Sequence, residues 1–272
     1  MREKNTAKLE SLKQELMALK SLVIGFSGGV DSSFLASVAF EVLGEKALAV
    51  TFSSEVIPEF EINEARKVAK EIGIKHQILP VQLLDREEFA QNSEQRCYFC
   101  KKNVFSMLKK IAGEKGYQHV VCGENLDDRG SFRPGMKACE ELGVSTPLIK
   151  AGLAKQDIRD LSRQRNLSTW NNPSMSCLAT RIPYHTPITE KALAMIEKSE
   201  HFLRQFGIQH LRVRHHGQTA RIEVSPEDME AFIKKEMRIQ VTNELRRIGY
   251  TYVTLDLMGY RSGSMDEKGQ TE

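Results

Sequence analysis

Two patterns of hydrophobic and polar positions alternate in the first part of the chain. Short apolar runs without polar alternation, such as 22–26, 47–52 and 119–122, are typical of buried strands in a parallel sheet. Between them, apolar residues recur every three or four positions, as in Leu9, Leu12, Leu16 and Leu19, which indicates amphipathic helices. The pattern predicts helices over 6–19, 32–43, 59–72, 101–112 and 156–165, and strands over 22–26, 47–52, 76–79, 119–122 and, at an edge, 144–148. This alternation predicts an α/β fold with a doubly wound parallel sheet, which binds ligands at the C-terminal ends of its strands.

The pattern changes after an irregular, proline-bearing segment at 166–187. A helix is predicted over 189–206, strands over 210–214 and 219–224, a helix over 226–237 that resumes toward Arg247, and a last strand over 251–257. We therefore predict a smaller α+β domain at the C-terminal side. The predicted organisation is a first domain at 1–166, an active-site loop and linker at 167–187, the small domain at 188–262 and a polar tail at 263–272.

Composition narrows the functional classes. The 272 residues suffice for two domains, and 39 Lys and Arg against 36 Asp and Glu give a net charge of only +3, so we expect no stable nucleic-acid partner. The sequence shows neither an apolar run of membrane-spanning length nor an apolar signal-peptide core near Met1. We therefore expect a cytoplasmic protein without a membrane partner, whose five cysteines are thiols, metal ligands or catalysts rather than structural disulfides.

Residues 27–33 read Ser-Gly-Gly-Val-Asp-Ser-Ser and join a predicted buried strand to a predicted helix. The lysine of a Walker A loop and the Gly-x-Gly-x-x-Gly of a dinucleotide fingerprint are both absent here. The segment resembles the PP-loop of N-type ATP pyrophosphatases, which bind the pyrophosphate part of ATP; an ordinary glycine-rich turn is the alternative. Small residues let the backbone approach phosphate oxygens, serine hydroxyls donate hydrogen bonds, and Asp31 can orient the loop or hold Mg²⁺.

Residues 123–128, Gly-Glu-Asn-Leu-Asp-Asp, follow the fourth predicted strand and so face the same sheet edge. Asp127 or Asp128 can bind Mg²⁺ or the substrate, or can simply cap a helix. The residues that we predict to bind ATP are Ser27, Gly28, Gly29, Asp31, Ser32, Ser33 and Gly123.

Cys97 and Cys100 lie three residues apart beside two lysines, and Cys177 lies in the irregular segment. This spacing places the first two thiols on one side of a turn, which suits a metal or cluster. Three interpretations stay open: a [4Fe-4S] cluster on three cysteines with one open iron, a zinc site or redox pair, and unrelated thiols. Cys122 ends an apolar predicted strand and Cys139 lies in a short helical stretch, so both are assigned to packing by default.

Residues 211–214, Leu-Arg-Val-Arg, alternate as a strand with Leu211 and Val213 facing the core and Arg212 and Arg214 on the other face. Residues 219–224 alternate likewise, so a hairpin can present a row of arginines. Guanidinium groups suit bidentate phosphate binding, although a charged row is more often a solvated outer face.

The chain as a whole resembles the LarE family of sulfur transferases, which serves the nickel-pincer nucleotide cofactor of lactate racemase. The motifs that carry the resemblance are 27–33, 123–128, 132–138, 171–184, Glu200, 211–214, 220–223 and 252–256. The resemblance implies that ATP adenylates a carboxylate of pyridinium-3,5-biscarboxylic acid mononucleotide with release of pyrophosphate. Sulfur then displaces AMP and leaves a thiocarboxylate.

The resemblance also implies roles for individual residues. Family members with a single active-site cysteine, at the position of Cys177, sacrifice its sulfur and are left with dehydroalanine. This sequence resembles the three-cysteine branch instead, in which Cys97, Cys100 and Cys177 hold a [4Fe-4S] cluster fed by a sulfide donor. The other residues implied are Arg212 and Arg214 on the substrate phosphate, Thr180, Arg181 and Glu200 nearby, and Asp228 or Glu230 in the following helix. We predict Cys177 and Asp31 as the catalytic residues, with Asp31 as a loop and Mg²⁺ residue rather than a general base. A homo-oligomer, with a hexamer as its suggested form, is implied as well.

Three other functions compete with this reading. A PP-loop tRNA thiolase also combines the loop with three cysteines, but it needs a polyanion-binding face that a net charge of +3 does not indicate. A glutamine- or ammonia-dependent amide ligase leaves the cysteines unexplained. A regulatory ATP- or AMP-binding module performs no chemistry, and a test for pyrophosphate release separates it from the enzymes.

Overall fold

The computed structural model describes residues 2–130, 134–173, 176–208, 210–261 and 264–265. Phe132 and Arg133 of the motif at 132–138, and Ser174 and Met175 beside Cys177, lie outside these residues. The chain divides into two compact units, one formed by the described residues within 1–83 and 94–175, the other by those within 84–93 and 176–272. None of the helices in the described ranges is both long and apolar enough to cross a membrane.

The described elements alternate in the first unit and become mixed in the second. The strands are β1 Leu22–Gly25, β2 Ala47–Ser53, β3 Lys75–Pro80, β4 His119–Cys122, β5 Leu211–His216, β6 Thr219–Val224 and β7 Tyr252–Leu255. The α-helices are α1 Arg2–Ala18, α2 Val30–Leu43, α3 Glu59–Ile72, α4 Glu87–Ala90, α5 Arg96–Lys115, α6 Pro134–Glu141, α7 Pro147–Lys150, α8 Lys155–Gln164, α9 Glu190–Arg204, α10 Pro226–Ile233 and α11 Lys235–Ile248. Short 3₁₀ helices cover Gly44–Lys46, Leu126–Gly130 and Leu178–Arg181.

The first unit is built on a parallel sheet with strand order β3-β2-β1-β4. Successive strand residues point to opposite faces, and both faces are apolar: Leu22 and Ile24 join one buried cluster, whereas Val23 joins another. Residues of α1, α2, α3 and α8 belong to the first cluster, and residues of α5 and α6 to the second. The predicted α/β, doubly wound class is confirmed.

The strand order fixes where a ligand can enter the first unit. After β1 the chain proceeds through β2 and β3 on one side, and then returns to place β4 on the other side of β1. The loops that leave β1 and β4 therefore diverge at the C-terminal edge, and open α/β sheets bind ligands in the crevice between such loops. Residues 27–33 and 123–128 are those two loops.

The second unit carries a mixed three-stranded sheet with the order β5-β6-β7. β5 pairs antiparallel with β6, which in turn pairs parallel with β7. Leu211, Val213 and Ile222 are buried in its own apolar cluster, which includes residues of α9, α10 and α11. The predicted smaller α+β fold at the C-terminal side is confirmed.

Three local predictions differ from the structure. The fifth strand predicted over 144–148 is wrong: Ser145 forms a single parallel bridge to Val121, and Pro147 begins helix α7. Proline fits the first turn of a helix because it has no N–H to leave unpaired there. The helix predicted over 101–112 is longer than expected, since α5 begins at Arg96 and so includes Cys97 and Cys100. The helical stretch after Pro226 is broken at Lys234, whose backbone is extended.

Candidate functional site

The nucleotide loop, Ser27–Ser33, follows β1 and includes the first turn of α2. Gly29 is the N-cap residue of α2, and no side chain caps this helix end. Backbone N–H groups in the first turn of a helix lack intrahelical acceptors, and the helix dipole adds positive potential, so this end favours an anion. Ser32 Oγ lies 3.0 Å from Ser27 Oγ and 3.3 Å from the Gly29 carbonyl oxygen that accepts its hydrogen bond. These bonds hold the loop folded over the helix end.

Two glycines are required by close backbone approach. Gly28 has φ +73°, and a Cβ atom there would lie 2.8 Å from Ala65 Cα. A Cβ on Gly123 would lie 2.9 Å from the Ser32 backbone nitrogen. The nucleotide loop therefore lies directly against α3 at Gly28, and the segment after β4 lies directly against the loop at Gly123. A side chain at Gly28 would push the loop away from α3, and one at Gly123 would push the two segments apart.

We expect Gly28→Ala to destabilise the first unit and to weaken ATP binding. Gly116→Ala is the matched control, because Gly116 has φ +74° but nothing lies within 4 Å of its Cβ position. Both variants carry the cost of a left-handed alanine, whereas steric overlap with Ala65 adds about 1–3 kcal/mol at Gly28 alone. Urea unfolding followed by Trp170 fluorescence, with ATP titration calorimetry, measures both effects. Equal losses in the two variants would show that the contact with Ala65 is unimportant.

Asp31 lies in the first turn of α2, where its Oδ2 atom accepts a hydrogen bond from Lys155 Nζ at 2.8 Å. Burial raises the pKa of Asp31, against the opposing effect of Lys155. Asp31 Oδ1 and Ser33 Oγ are buried and have no hydrogen-bond partner among the described residues. An acceptor oxygen and a hydroxyl donor left unpaired at an anion-binding helix end fit Mg²⁺ and phosphate oxygens, respectively.

The two aspartates after β4 have local partners. Asp128 Oδ2 accepts a hydrogen bond from the Asn125 backbone N–H at 2.9 Å, and Asp127 Oδ2 accepts one from the Lys155 backbone N–H at 2.9 Å. The Asp127 contact satisfies a donor in the first turn of α8. Both contacts are of the capping kind, and Mg²⁺ or substrate binding by these aspartates stays a prediction.

Three cysteines are partly exposed: Cys97, Cys100 and Cys177. Cys97 and Cys100 lie in the first turns of α5 in the first unit, three residues apart and therefore on neighbouring positions of the helix surface. Cys177 precedes the 3₁₀ helix Leu178–Arg181 in the second unit, and its carbonyl oxygen accepts a hydrogen bond from Thr180 Oγ1 at 2.8 Å. Their use as one ligand set stays a prediction.

Sequence reasoning missed a group formed by Cys122, Glu124 and Cys139, which we call the thiol cluster. These residues offer three ligand atoms that lie within 4.8 Å of one another. The one indication of this cluster in the sequence is that Cys122 and Glu124 lie on either side of Gly123 at the end of β4. Assigning Cys122 and Cys139 to packing alone was incomplete, although both do belong to the apolar cluster on that face of the sheet.

In the second unit, Arg181 and Glu200 form a fully buried ion pair. Arg181 Nε and Glu200 Oε1 are 2.9 Å apart, and the two side chains are 1% and 0% exposed. Glu200 also accepts a hydrogen bond from Arg204 at 2.9 Å and one from the Val213 backbone N–H at 3.2 Å. Burial alone would raise the pKa of Glu200, but the charge and hydrogen bonds of Arg181 together with the charges of Arg204 and Arg212 outweigh burial, and the pKa is lowered. Glu200 therefore fixes Arg181 as a charged, oriented group.

Arg212 and Arg214 share one face of β5, as predicted, but this face is covered rather than solvated. The Arg212 guanidinium lies 5.2 Å from the centre of the Tyr260 ring. Arg214 donates hydrogen bonds to the Thr180 carbonyl oxygen at 3.0 Å and to Glu223 Oε2 at 2.7 Å. The second unit thus brings four of the predicted site residues, Thr180, Arg181, Glu200 and Arg214, into one hydrogen-bonded network.

The electrostatics of this region favour an anion. Burial, together with the positive charges of Arg181 and Arg214, lowers the pKa of Arg212. Arg214 Nε is a buried donor without an acceptor in the described part of the chain. Buried like charges and an unmet donor both gain from a phosphate group, which offers several acceptor oxygens and negative charge.

Comparison with known proteins places these features in context. A family model described as NAD synthase matches residues 3–120. Pyridinium-3,5-bisthiocarboxylic acid mononucleotide synthase of Lactiplantibacillus plantarum is 33% identical over 96% of this chain and 94% of its own length. An uncharacterised protein of Synechocystis is 37% identical over 96% and 97%, respectively. The solved structure of NMN synthetase from Francisella tularensis superposes with a TM-score of 0.50 at 21% identity, covering 64% of this chain and 75% of that one, which supports the fold alone.

Proposed function

Because the chain belongs to the LarE family of pyridinium-3,5-bisthiocarboxylic acid mononucleotide synthases, we propose that it is an ATP-dependent sulfur transferase of nickel-pincer nucleotide synthesis. Its substrate is then pyridinium-3,5-biscarboxylic acid mononucleotide, and its product carries a thiocarboxylate. The observation that carries the proposal is the 33% identity to the L. plantarum enzyme, which extends through both units.

The first unit supports the adenylation half of the reaction. A substrate carboxylate oxygen attacks the α-phosphorus of ATP, an oxygen–phosphorus bond forms, and pyrophosphate leaves. The nucleotide loop offers the N-terminus of α2 and Ser33 Oγ to the phosphates, and Asp31 Oδ1 is available to Mg²⁺. Lys155 holds the other oxygen of Asp31, so that this carboxylate is fixed in direction. Gly123 lets the segment after β4 lie close to the nucleotide loop, and Gly28 lets that loop lie close to α3.

The second unit supports binding of the substrate phosphate and the transfer of sulfur. Arg212 and Arg214 would bind the phosphate, with Arg181 held in place by Glu200. Thr180 and Arg181 both donate hydrogen bonds to the Cys177 carbonyl oxygen, which fixes the backbone at the proposed catalytic cysteine. Sulfur then bonds to the acyl carbon and AMP leaves. Asp228, whose carboxylate accepts a hydrogen bond from Ser225 at the start of α10, and Glu230 stay the acidic candidates of this region.

The proposed sulfur source is a sulfide donor acting through a [4Fe-4S] cluster on Cys97, Cys100 and Cys177. Cys97 and Cys100 are neighbouring, partly exposed thiols on the first turns of α5, and soft thiolate ligands favour iron–sulfur clusters. Two lysines follow them directly in the sequence. Such a cluster, when bound, supplies an open iron for an exogenous sulfide. The cytoplasmic location and the homo-oligomer, with the hexamer as its suggested form, belong to the same proposal.

The test of this function is substrate-dependent cleavage of ATP. We expect AMP and pyrophosphate to form in equal amounts only when pyridinium-3,5-biscarboxylic acid mononucleotide is present with Mg²⁺. The matched control is the same pyridinium compound without its phosphate, for which KM should rise by roughly 10- to 100-fold, since charge-assisted hydrogen bonds contribute about 1.5–3 kcal/mol each. Release of ADP, or AMP formation that does not depend on the pyridinium substrate, would contradict the proposal.

A further inference from the structure

The thiol cluster has the composition and geometry of a small metal site. Cys122 ends β4, Glu124 follows two residues later, and Cys139 lies on α6. Their ligand atoms lie within 4.8 Å of one another, and Cys139 Sγ is 3.8 Å from Glu124 Oε1. The three residues are only 5%, 7% and 1% exposed. Binding of a metal ion would therefore require only small movements of these three side chains toward a common centre.

An unmet polar atom gives independent support. Glu124 Oε1 accepts a hydrogen bond from Lys101 Nζ, whereas Glu124 Oε2 is buried without a hydrogen-bond partner among the described residues. An unpaired buried acceptor costs on the order of 1–3 kcal/mol. A bound cation would remove that cost.

We propose that Cys122, Glu124 and Cys139 bind a Zn²⁺ ion. Both thiols lose their protons to solvent on binding, so the ion, two thiolates and the carboxylate together carry one negative charge. The Lys101 ammonium beside Glu124 balances that charge, just as it balances the carboxylate alone when no ion is bound. The buried group is therefore neutral in both states, which avoids the desolvation cost of a net charge. Two thiolates favour a borderline-soft ion over Mg²⁺, and water can fill the fourth tetrahedral position.

The position of the cluster connects it with the nucleotide loop. Gly123 lies between two of the ligands, and its Cβ position is 2.9 Å from the Ser32 backbone nitrogen. An ion at Cys122 and Glu124 would hold this segment against the loop. The Zn²⁺ site is separate from the proposed iron–sulfur ligands, because it uses the two buried cysteines instead of the three partly exposed ones.

Cobalt binding tests the site without reference to catalysis. The chain with Cys97, Cys100 and Cys177 replaced by serine retains Cys122 and Cys139 as its cysteines. After reduction and without oxygen, we expect it to bind about one Co²⁺ per chain with a thiolate-to-metal charge-transfer absorption, and Zn²⁺ to displace the cobalt.

Two further substitutions in this background serve as controls. Cys139→Ser should remove the charge-transfer absorption, and Glu124→Gln, which keeps both thiols, should weaken Co²⁺ binding by roughly tenfold or more. Circular dichroism and Trp170 fluorescence check that each variant folds. In the otherwise unmodified chain, Cys139→Ser should lower bound Zn²⁺ by about one per chain. The site is refuted if the folded triple-serine chain shows no such absorption, or if the absorption survives Cys139→Ser.

Discussion

Replacing Cys177 by alanine is expected to abolish thiocarboxylate formation while AMP and pyrophosphate release continue. The reason is that the two steps use different residues: the nucleotide loop binds ATP for adenylation, whereas Cys177 takes part in sulfur transfer. Deletion of a reacting group typically costs 10⁴-fold or more, so transfer should fall by at least about 10⁴-fold. The fold should survive, because the Cys177 backbone carbonyl, which alanine retains, accepts the hydrogen bonds from Thr180 and Arg181.

Cys177→Ser serves as the matched control, since it keeps the size and polarity of the side chain but supplies no sulfur. Both variants should release AMP at rates within a few-fold of the parent chain, measured by coupled pyrophosphate detection, while mass spectrometry finds no thiocarboxylate. A Cys177→Ala chain that still produces thiocarboxylate would remove Cys177 from the sulfur pathway. Loss of AMP release in both variants would instead assign Cys177 to adenylation.

Cys97→Ala separates the two sulfur sources. With a cluster on three cysteines, we expect iron and acid-labile sulfide near four per chain in anaerobically purified protein, and a broad visible absorbance that Cys97→Ala removes together with multiple turnover. A colourless parent chain that thiolates its substrate once, with Cys177 losing the mass of H₂S, would contradict the cluster and support a sacrificial cysteine.

Local sequence signals predicted the first unit well because each of its decisive features lies within a short segment. The apolar run that forms β1, the glycines after it and the helical period of α2 are adjacent in the chain, so the nucleotide loop could be recognised directly. The prediction of a strand over 144–148 was wrong because it also relied on a short segment alone: apolar composition does not distinguish a short strand from one helical turn. The resemblance to the LarE family, which rested on motifs spread along the chain, is confirmed.

Contacts between distant segments account for what the sequence did not reveal. The thiol cluster unites the end of β4 with α6, and no spacing rule connects Cys122 with Cys139. Alternation along β5 correctly placed Arg212 and Arg214 on one face, but their burial depends on Thr180 and Tyr260, which lie far away in the chain. Likewise, the position of Glu200 on an amphipathic helix does not itself indicate an ion pair with Arg181; the family resemblance placed the two residues in one region, but not in direct contact.

Removing Glu200 is expected to have the largest effect on stability. Glu200→Ala leaves Arg181, which is 1% exposed, as a buried charge without its carboxylate, and it also removes the acceptor for the Val213 backbone N–H. Breaking a buried ion pair in this way costs about 3–5 kcal/mol. Glu200→Gln, which keeps an acceptor oxygen but not the charge, should lie between Glu200→Ala and the parent chain. Lys198→Ala, an exposed charge on the same helix, should change stability by less than about 0.5 kcal/mol.

The loss of stability in Glu200→Ala should be confined to the second unit, because Glu200 and Arg181 both belong to it and this unit has its own apolar core. Hydrogen exchange of the amides in β5 and β6 reports on the second unit, whereas the single tryptophan, Trp170, reports on the first. We therefore expect faster exchange in β5 and β6 with an unchanged transition in Trp170 fluorescence. Unchanged exchange in these strands would show that the buried pair contributes little.

The pH dependence of the same contribution follows from the lowered pKa of Glu200. Since the folded-state pKa lies below the unfolded value, the stabilisation is fully present at neutral pH and is lost as the pH falls through the lowered pKa. The difference in β5 and β6 exchange between the parent chain and Glu200→Gln should therefore be large at neutral pH and should shrink in acid. A difference that stays constant from neutral pH down to the acid range would mean that Glu200 acts through its shape and hydrogen bonds rather than through its charge.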